Sequence, residues 1–198
     1  MDLILVRHAR PLRLEVSEGG TDPGLHDEGR DQARCLAWFL SAERVDAVST
    51  SPARRARETA APLGEALGCE PAVEEGLAEF DTGAGAYVPV EELRAANDER
   101  WLALARGELL DSSIDPAEFR ERVVESVEGL IRRHPGQIVV AVCHGGVINA
   151  YVGHTLRIAT PMWFAPRYAS ISRMAASRRG HRSVVSLNET GHLRDPRL

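Results

Sequence analysis

No apolar run in the chain approaches the ~18 consecutive residues that a membrane-spanning helix requires, and the opening MDLILVRHAR has neither a basic leader segment nor an extended apolar one. The reading is a soluble chain in the cytoplasm with no membrane partner. Cysteine is scarce. Cys35, Cys69 and Cys143 make an odd number with no C-x-x-C spacing, which argues against a disulfide framework or a cysteine metal site and for buried, inert thiols. Excess positive charge is missing as well: 24 basic against 29 acidic residues leave a net charge of −5, unsuited to binding nucleic acid through bulk charge. Any anion site must be local. With no linker-like stretch, internal repeat or low-complexity tract, residues 1–198 are expected to form one domain.

What is present is an alternation of short apolar runs with amphipathic stretches. LILVR at 3–7, VDAVST at 45–50 and QIVVAVC at 137–143 are rich in Leu, Ile and Val, as in strands buried on both faces. Between the first two, DEGRDQARCLAWFLSAE places Ala33, Leu36, Ala37 and Leu40 on one helical stripe that should face a sheet. The segment SPARRARETAAPLGEALG predicts a helix capped by Ser51, with Pro52 at its first position, Pro62 kinking or breaking it, and a stop near Gly68. Further helices are expected at about 89–107 and 116–134, and ASISRMAAS with RSVVSLN reads as an antiparallel hairpin at a sheet edge. The fold class is α/β, a three-layer α/β/α sandwich with a mostly parallel central sheet and an antiparallel edge.

Two predicted strands end on histidine: Arg7-His8, and His144-Gly145-Gly146. Ligands of open α/β sheets bind outside the carboxyl ends of the strands. A single histidine there is usually structural; two at equivalent ends, one beside an arginine and one before a glycine pair, suggest a site. The third strand ends at Ser49-Thr50-Ser51 and runs into a helix carrying Arg54, Arg55 and Arg57. A helix N-terminus attracts anions, and guanidinium forks match phosphate oxygens. Arg54 and Arg57 are better read as a solvated face paired with Glu58 and other acids.

The motifs VRHA at 6–9, GLHDEGRDQA at 24–33, STSPARRARETA at 49–60, GLAEFDTG at 76–83 and CHGGVI at 143–148, in this order, resemble the histidine phosphatase superfamily, the phosphoglycerate mutase-like proteins. LNETGHL at 187–193 resembles the end of many of its phosphatases. The resemblance implies a phosphoric monoester hydrolase in which His8 is the phosphorylated nucleophile. Arg7 and Arg55 would hold phosphate oxygens, His144 would complete the phosphate pocket, and Glu79 would be the general acid. Glu74, Glu75 and Asp81 compete for that last role. No metal or other cofactor is called for, because arginines and a second histidine can stabilise the transferred charge.

Where the family usually has Arg-His-Gly-Glu, this chain has Arg7-His8-Ala9-Arg10. Exchanging an acid for a base suggests a more anionic substrate, so Arg10, with Thr21 in the neighbouring 10–24 region, is a candidate for substrate specificity. Gly83 and Gly85 suggest an adaptable loop. Phe80, Tyr87, Trp101, Trp163 and Phe164 could line a substrate wall, with core or surface packing the default for each, and structural or surface roles are the reading for His26, His134, His154, His181 and His192. The stretch between Glu79 and His144 is short for a mutase lid, which favours a phosphatase acting on a small phosphorylated substrate. A phosphoglycerate-type mutase, a non-catalytic phosphate or phosphoprotein-binding module and a histidine-ligated metalloenzyme are the alternatives. The substrate is unread, and so is the oligomeric state: MWFAPRYASI at 162–171 is apolar enough to meet a partner or to fold inward.

Overall fold

The computed structural model describes residues 1–15, 21–80, 86–108 and 115–194. Chain order is β1 (Asp2–Arg7), β2 (Leu14–Glu15), α1 (Asp27–Ser41), β3 (Ala47–Thr50), α2 (Arg54–Leu67), β4 (Ala72–Val73), β5 (Ala86–Tyr87), α3 (Val90–Ala95), α4 (Glu99–Ala105), α5 (Pro116–Arg133), β6 (Ile138–Cys143), α6 (Gly145–Leu156), β7 (Ile171–Ala176) and β8 (Arg182–Glu189). The main sheet runs β4-β3-β6-β1-β7-β8. Its first four strands are parallel, and β7 and β8 form the expected antiparallel edge.

Successive side chains of a strand point to opposite faces, and here both faces are covered. Leu3, Leu5, Ala141 and Cys143 pack with Val123, Val127, Leu130, Val147, Ile148 and Tyr151 from α5 and α6. On the other side Ile4, Val6, Val140 and Val142 meet Leu36, Leu40, Ala56, Ala60 and Leu63 from α1 and α2. This two-sided burial is why β1 and β6 read as unbroken apolar runs rather than as alternations.

Three expectations need correction. Helix α2 begins at Arg54, with Ala53 as a cap that has no side-chain hydrogen bond; the Ser51 hydroxyl sits ahead of that cap, accepting from Ala53 N (3.3 Å) and meeting His144. Pro62 lies inside α2 without ending it; Ala56, Ala60 and Leu63, packed against the sheet on both sides of the proline, outweigh its ~3 kcal/mol penalty. The helix expected over 89–107 is two helices, split where Asn97 takes a positive φ of 51° and Asp98 caps α4 by accepting from Arg100 N. The short pair β2-β5 and the edge strand β4 lie outside the sequence reading, each being only two residues long. Of the cysteines, Cys35 and Cys143 are buried as expected, whereas Cys69 is exposed.

One hydroxyl ties the end of β1 to α2. Thr59 Oγ1 donates to Arg55 O (2.7 Å) and accepts from the buried Ala9 N (3.0 Å). Thr59→Val keeps the shape and strands that N–H, so a loss of about 1–3 kcal/mol is expected in denaturant unfolding; an unchanged midpoint would show that the contact contributes nothing.

Candidate active site

The parallel register places Arg7 opposite Cys143 and Thr50 opposite Val142, so β3, β6 and β1 end side by side. The next residue of each, Ser51, His144 and His8, therefore stands at the same carboxyl edge. The imidazoles of His8 and His144 lie 5.1 Å apart, centroid to centroid, and His144 Nε2 is 2.7 Å from Ser51 Oγ. Ser51 thus serves the second histidine as well as the turn into α2.

His8 is 2% exposed, and its Nδ1 lies 2.8 Å from Ala9 O. A carbonyl only accepts, so Nδ1 carries the proton and Nε2 keeps a lone pair. Ala9 is fully buried and does not take the positive φ that a methyl would resist. Arg7 and Arg55 are buried beside the histidines, and each is stacked on a tyrosine: the Arg7 guanidinium is 3.9 Å from the Tyr168 ring centre, that of Arg55 4.7 Å from Tyr87. The ring faces offset part of the cost of burying the two cations. Arg7 Nη1 also donates to Pro166 O (2.6 Å). Among the described residues, the buried Arg7 Nε and His144 Nδ1 have no hydrogen-bond partner. Buried polar atoms of this kind are normally satisfied, and an anionic ligand suits both.

Glu79 is 8% exposed and faces the same cavity. Its Oε2 accepts from Gly146 N (2.9 Å) at the first turn of α6, while Arg122 on α5 donates to Gly76 O and Ala78 O (3.0 Å each), clamping the segment that carries it. Of its competitors, Glu74 is paired with Arg133, Glu75 is exposed, and Asp81 lies outside the described residues with Gly83 and Gly85.

Arg7, His8, Arg55 and Glu79 line one end of a cavity of about 610 Å³. Phe80, Tyr87, Trp101, Trp163 and Phe164, expected to be packing residues, all line it. Burial against a ligand space and burial in a core demand the same residue types, so sequence alone does not separate them. MWFAPRYASI folds inward, with Met162 to Pro166 forming one wall. Arg10 is not among the lining residues: its Nη1 is 2.5 Å from Glu28 Oε2, which offsets the added charge, and Thr21 is buried away from the lining. Arg54 pairs with Glu58 at 2.6 Å and Arg57 is exposed, so both have surface roles. His26 caps α1, and His192 is buried against Phe39 with its Nε2 3.0 Å from Ala169 O. Among the described residues, no three His, Cys, Asp or Glu side chains cluster as metal ligands, and no helix is long and apolar enough to cross a membrane.

Comparison with known proteins agrees with this geometry. The histidine phosphatase superfamily (branch 1) matches residues 3–190. Phosphoserine phosphatase 1 of Hydrogenobacter thermophilus is 32% identical over 198 residues, covering 96% of this chain and 93% of that protein. A mutant phosphoserine phosphatase of Entamoeba histolytica, solved with phosphoserine, superposes with a TM-score of 0.76 at 25% identity, over 97% of this chain and 98% of that one. In fold alone, a mycobacterial glucosyl-3-phosphoglycerate phosphatase is also similar, with a TM-score of 0.74 at 22% identity over 96% and 99% of the two chains. The chain belongs to the histidine phosphatase superfamily. The class of enzyme expected from its motifs, a phosphoric monoester hydrolase, stands with that membership.

Both imidazoles titrate well below the ordinary histidine value of 6.5, through burial first and then Arg55, with Arg7 contributing at each and the neighbouring His8 adding to the effect at His144. Above pH 6.5 they are neutral in the folded and unfolded chain and leave stability unaffected. Below it the unfolded chain takes up protons that the folded chain refuses, so stability falls with pH until the folded values are reached. The melting temperature of wild type should therefore drop more steeply from pH 7 to pH 5 than that of a His8→Gln/His144→Gln variant. Parallel curves would refute the assignment.

Proposed function

We propose that the chain, as one domain over residues 1–198, is a metal-independent phosphomonoesterase of the cytoplasm that works through a phosphohistidine on His8. The observation that carries this reading is the His8 imidazole, tied at Nδ1 to Ala9 O and held neutral between two arginines at the floor of the cavity. Nε2 attacks phosphorus, the bond to the ester oxygen breaks, and Glu79 gives its proton to the departing alkoxide. The Glu79 carboxylate then takes a proton from water, which attacks the phosphohistidine, restoring His8 and releasing inorganic phosphate.

Arg7, Arg55 and His144 supply the charge stabilisation. Phosphoryl transfer spreads negative charge over three peripheral oxygens, and preorganised donors in a water-poor site are effective there. The α6 N-terminus adds the positive end of its dipole, since Gly145 and Gly146 line the floor. Depressing the imidazole pKa keeps His8 nucleophilic below neutrality. Small phosphorylated molecules fit the site, and phosphoserine, bound by the Entamoeba relative, belongs among the compounds to test.

With an alkyl or aryl phosphate in the presence of EDTA, wild type should release phosphate and yield an acid-labile phosphoenzyme on rapid quench. Both signals should vanish in His8→Ala; release that survives in the variant, or a requirement for added bisphosphate, would overturn the proposal. Gly146→Ala provides a finer test. A Cβ there would run into Glu79 Oε1 and come within 2.7 Å of Phe80 Cε1. Displacing the acid by about an ångström should lower kcat by about 100-fold while the phosphoenzyme still forms from a substrate with a good leaving group.

A further inference from the structure

The cavity extends well beyond the phosphate floor, and its outer part is apolar. Tyr87, Trp101, Leu104, Met162, Trp163 and Phe164 line it there. Its 610 Å³ lies within the ~300–1,000 Å³ of pockets that enclose drug-sized ligands, far more than a three-carbon acid needs.

Two features show that this wall is built for a ligand. Helix α4 fully buries none of its residues, although it carries Trp101, Leu102 and Leu104; Trp101 and Leu104 face the cavity, not a core. The neighbouring stretch of wall, which Met162 N joins to Gly107 O just beyond α4 (3.2 Å), is pinned by one buried side chain. Asn149 Oδ1 accepts from Trp163 N (3.0 Å) and Phe164 N (3.1 Å), and its Nδ2 donates to Gly145 O (2.8 Å) and Phe164 O (2.9 Å). Trp163 Nε1 adds a bond to Asn149 O (3.1 Å). The aromatic wall is thereby held rigid before any substrate arrives.

Charge points the same way. Apart from Arg7, His8, Arg55 and Glu79 at the floor, Arg100 is the one further ionisable cation among the described lining residues, and Asp98 holds its Nε and Nη2 through two bonds of 2.9 Å. A substrate carboxylate in the outer cavity would meet an already neutralised arginine and aromatic surface, which is an unfavourable place for an ion.

We infer that the preferred substrate is a phosphomonoester of an apolar alcohol, aromatic or branched aliphatic, rather than a small phosphorylated amino or hydroxy acid. This rests on the phosphatase reading of the same site. The phosphate end holds and transfers the phosphoryl group, and the wall selects the leaving group by burying its hydrocarbon.

The experiment compares kcat/KM for ethyl, butyl, hexyl and 2-phenylethyl phosphate with that for O-phosphoserine and 3-phosphoglycerate. The alkyl series holds leaving-group basicity nearly constant, so a rise reports burial and not intrinsic reactivity. Hexyl and 2-phenylethyl phosphate should exceed ethyl phosphate and O-phosphoserine by at least about tenfold, mainly through KM, since wall contacts are made equally in ground and transition states. Trp101→Ala should flatten the chain-length dependence. A flat or falling dependence in wild type, or a preference for the phosphorylated acids, overturns the inference and leaves the phosphatase reading intact. His8-dependent release from none of the six compounds overturns both.

Discussion

Everything at the catalytic end of this molecule depends on the parallel pairing of β6 with β1 on one side and β3 on the other. Parallel strands in register end together, so the residue after each strand lands beside the residue after its neighbour. His8, His144 and Ser51 are separated by up to 136 positions in sequence yet occupy adjacent places along one sheet edge. A slip of one residue would swap every side chain between the two covered faces and undo the close packing on both, and the site inherits that rigidity.

On this support the chain concentrates like charges. Two buried arginines stand next to two buried histidines, and the histidines respond by remaining neutral. Every one of the 24 basic residues is arginine, so both clamps keep their charge at any pH the fold survives. Tyr168 and Tyr87 compensate part of the desolvation through their ring faces without occupying the edges that an anion needs. Like charge gathered in this way is what an anion placed between the two guanidiniums would offset.

The legible part of the structure was the part governed by short-range pattern. Both-face burial writes itself as LILV and IVVAVC, the helical stripe of α1 as Ala33, Leu36, Ala37 and Leu40, and the β7-β8 hairpin as two apolar runs around Arg178-Arg179-Gly180-His181. Motif order located the cluster of Arg7, His8, Arg55, Glu79 and His144. The hidden part depends on contacts distant in sequence. Arg122 reaches back more than forty residues to hold the Glu79 segment, Tyr168 Oη accepts from Val90 N at the start of α3, and Arg10 meets Glu28 across eighteen positions. The split at Asn97 has a local signal, an Asn followed by the capping Asp98, which the expectation of a single helix over 89–107 does not use.

The way Asn149 grips its wall bears on how such an enzyme changes over time. Four hydrogen bonds from its amide head group bind main-chain atoms of Gly145, Trp163 and Phe164, and its carbonyl accepts a further one from the Trp163 ring. The path of the wall is therefore specified largely apart from the side chains it displays. Met162 contributes nothing to this grip and Phe164 only main-chain atoms, so their side chains are free to vary in a way that the Trp163 ring, bonded to Asn149 O, is not. On the proposed reading, the wall that would choose the leaving group and the strand ends that would hold the phosphoryl group are built by different contacts, so drift at a few cavity-facing positions would change the substrate range without touching the cluster of Arg7, His8, Arg55 and His144.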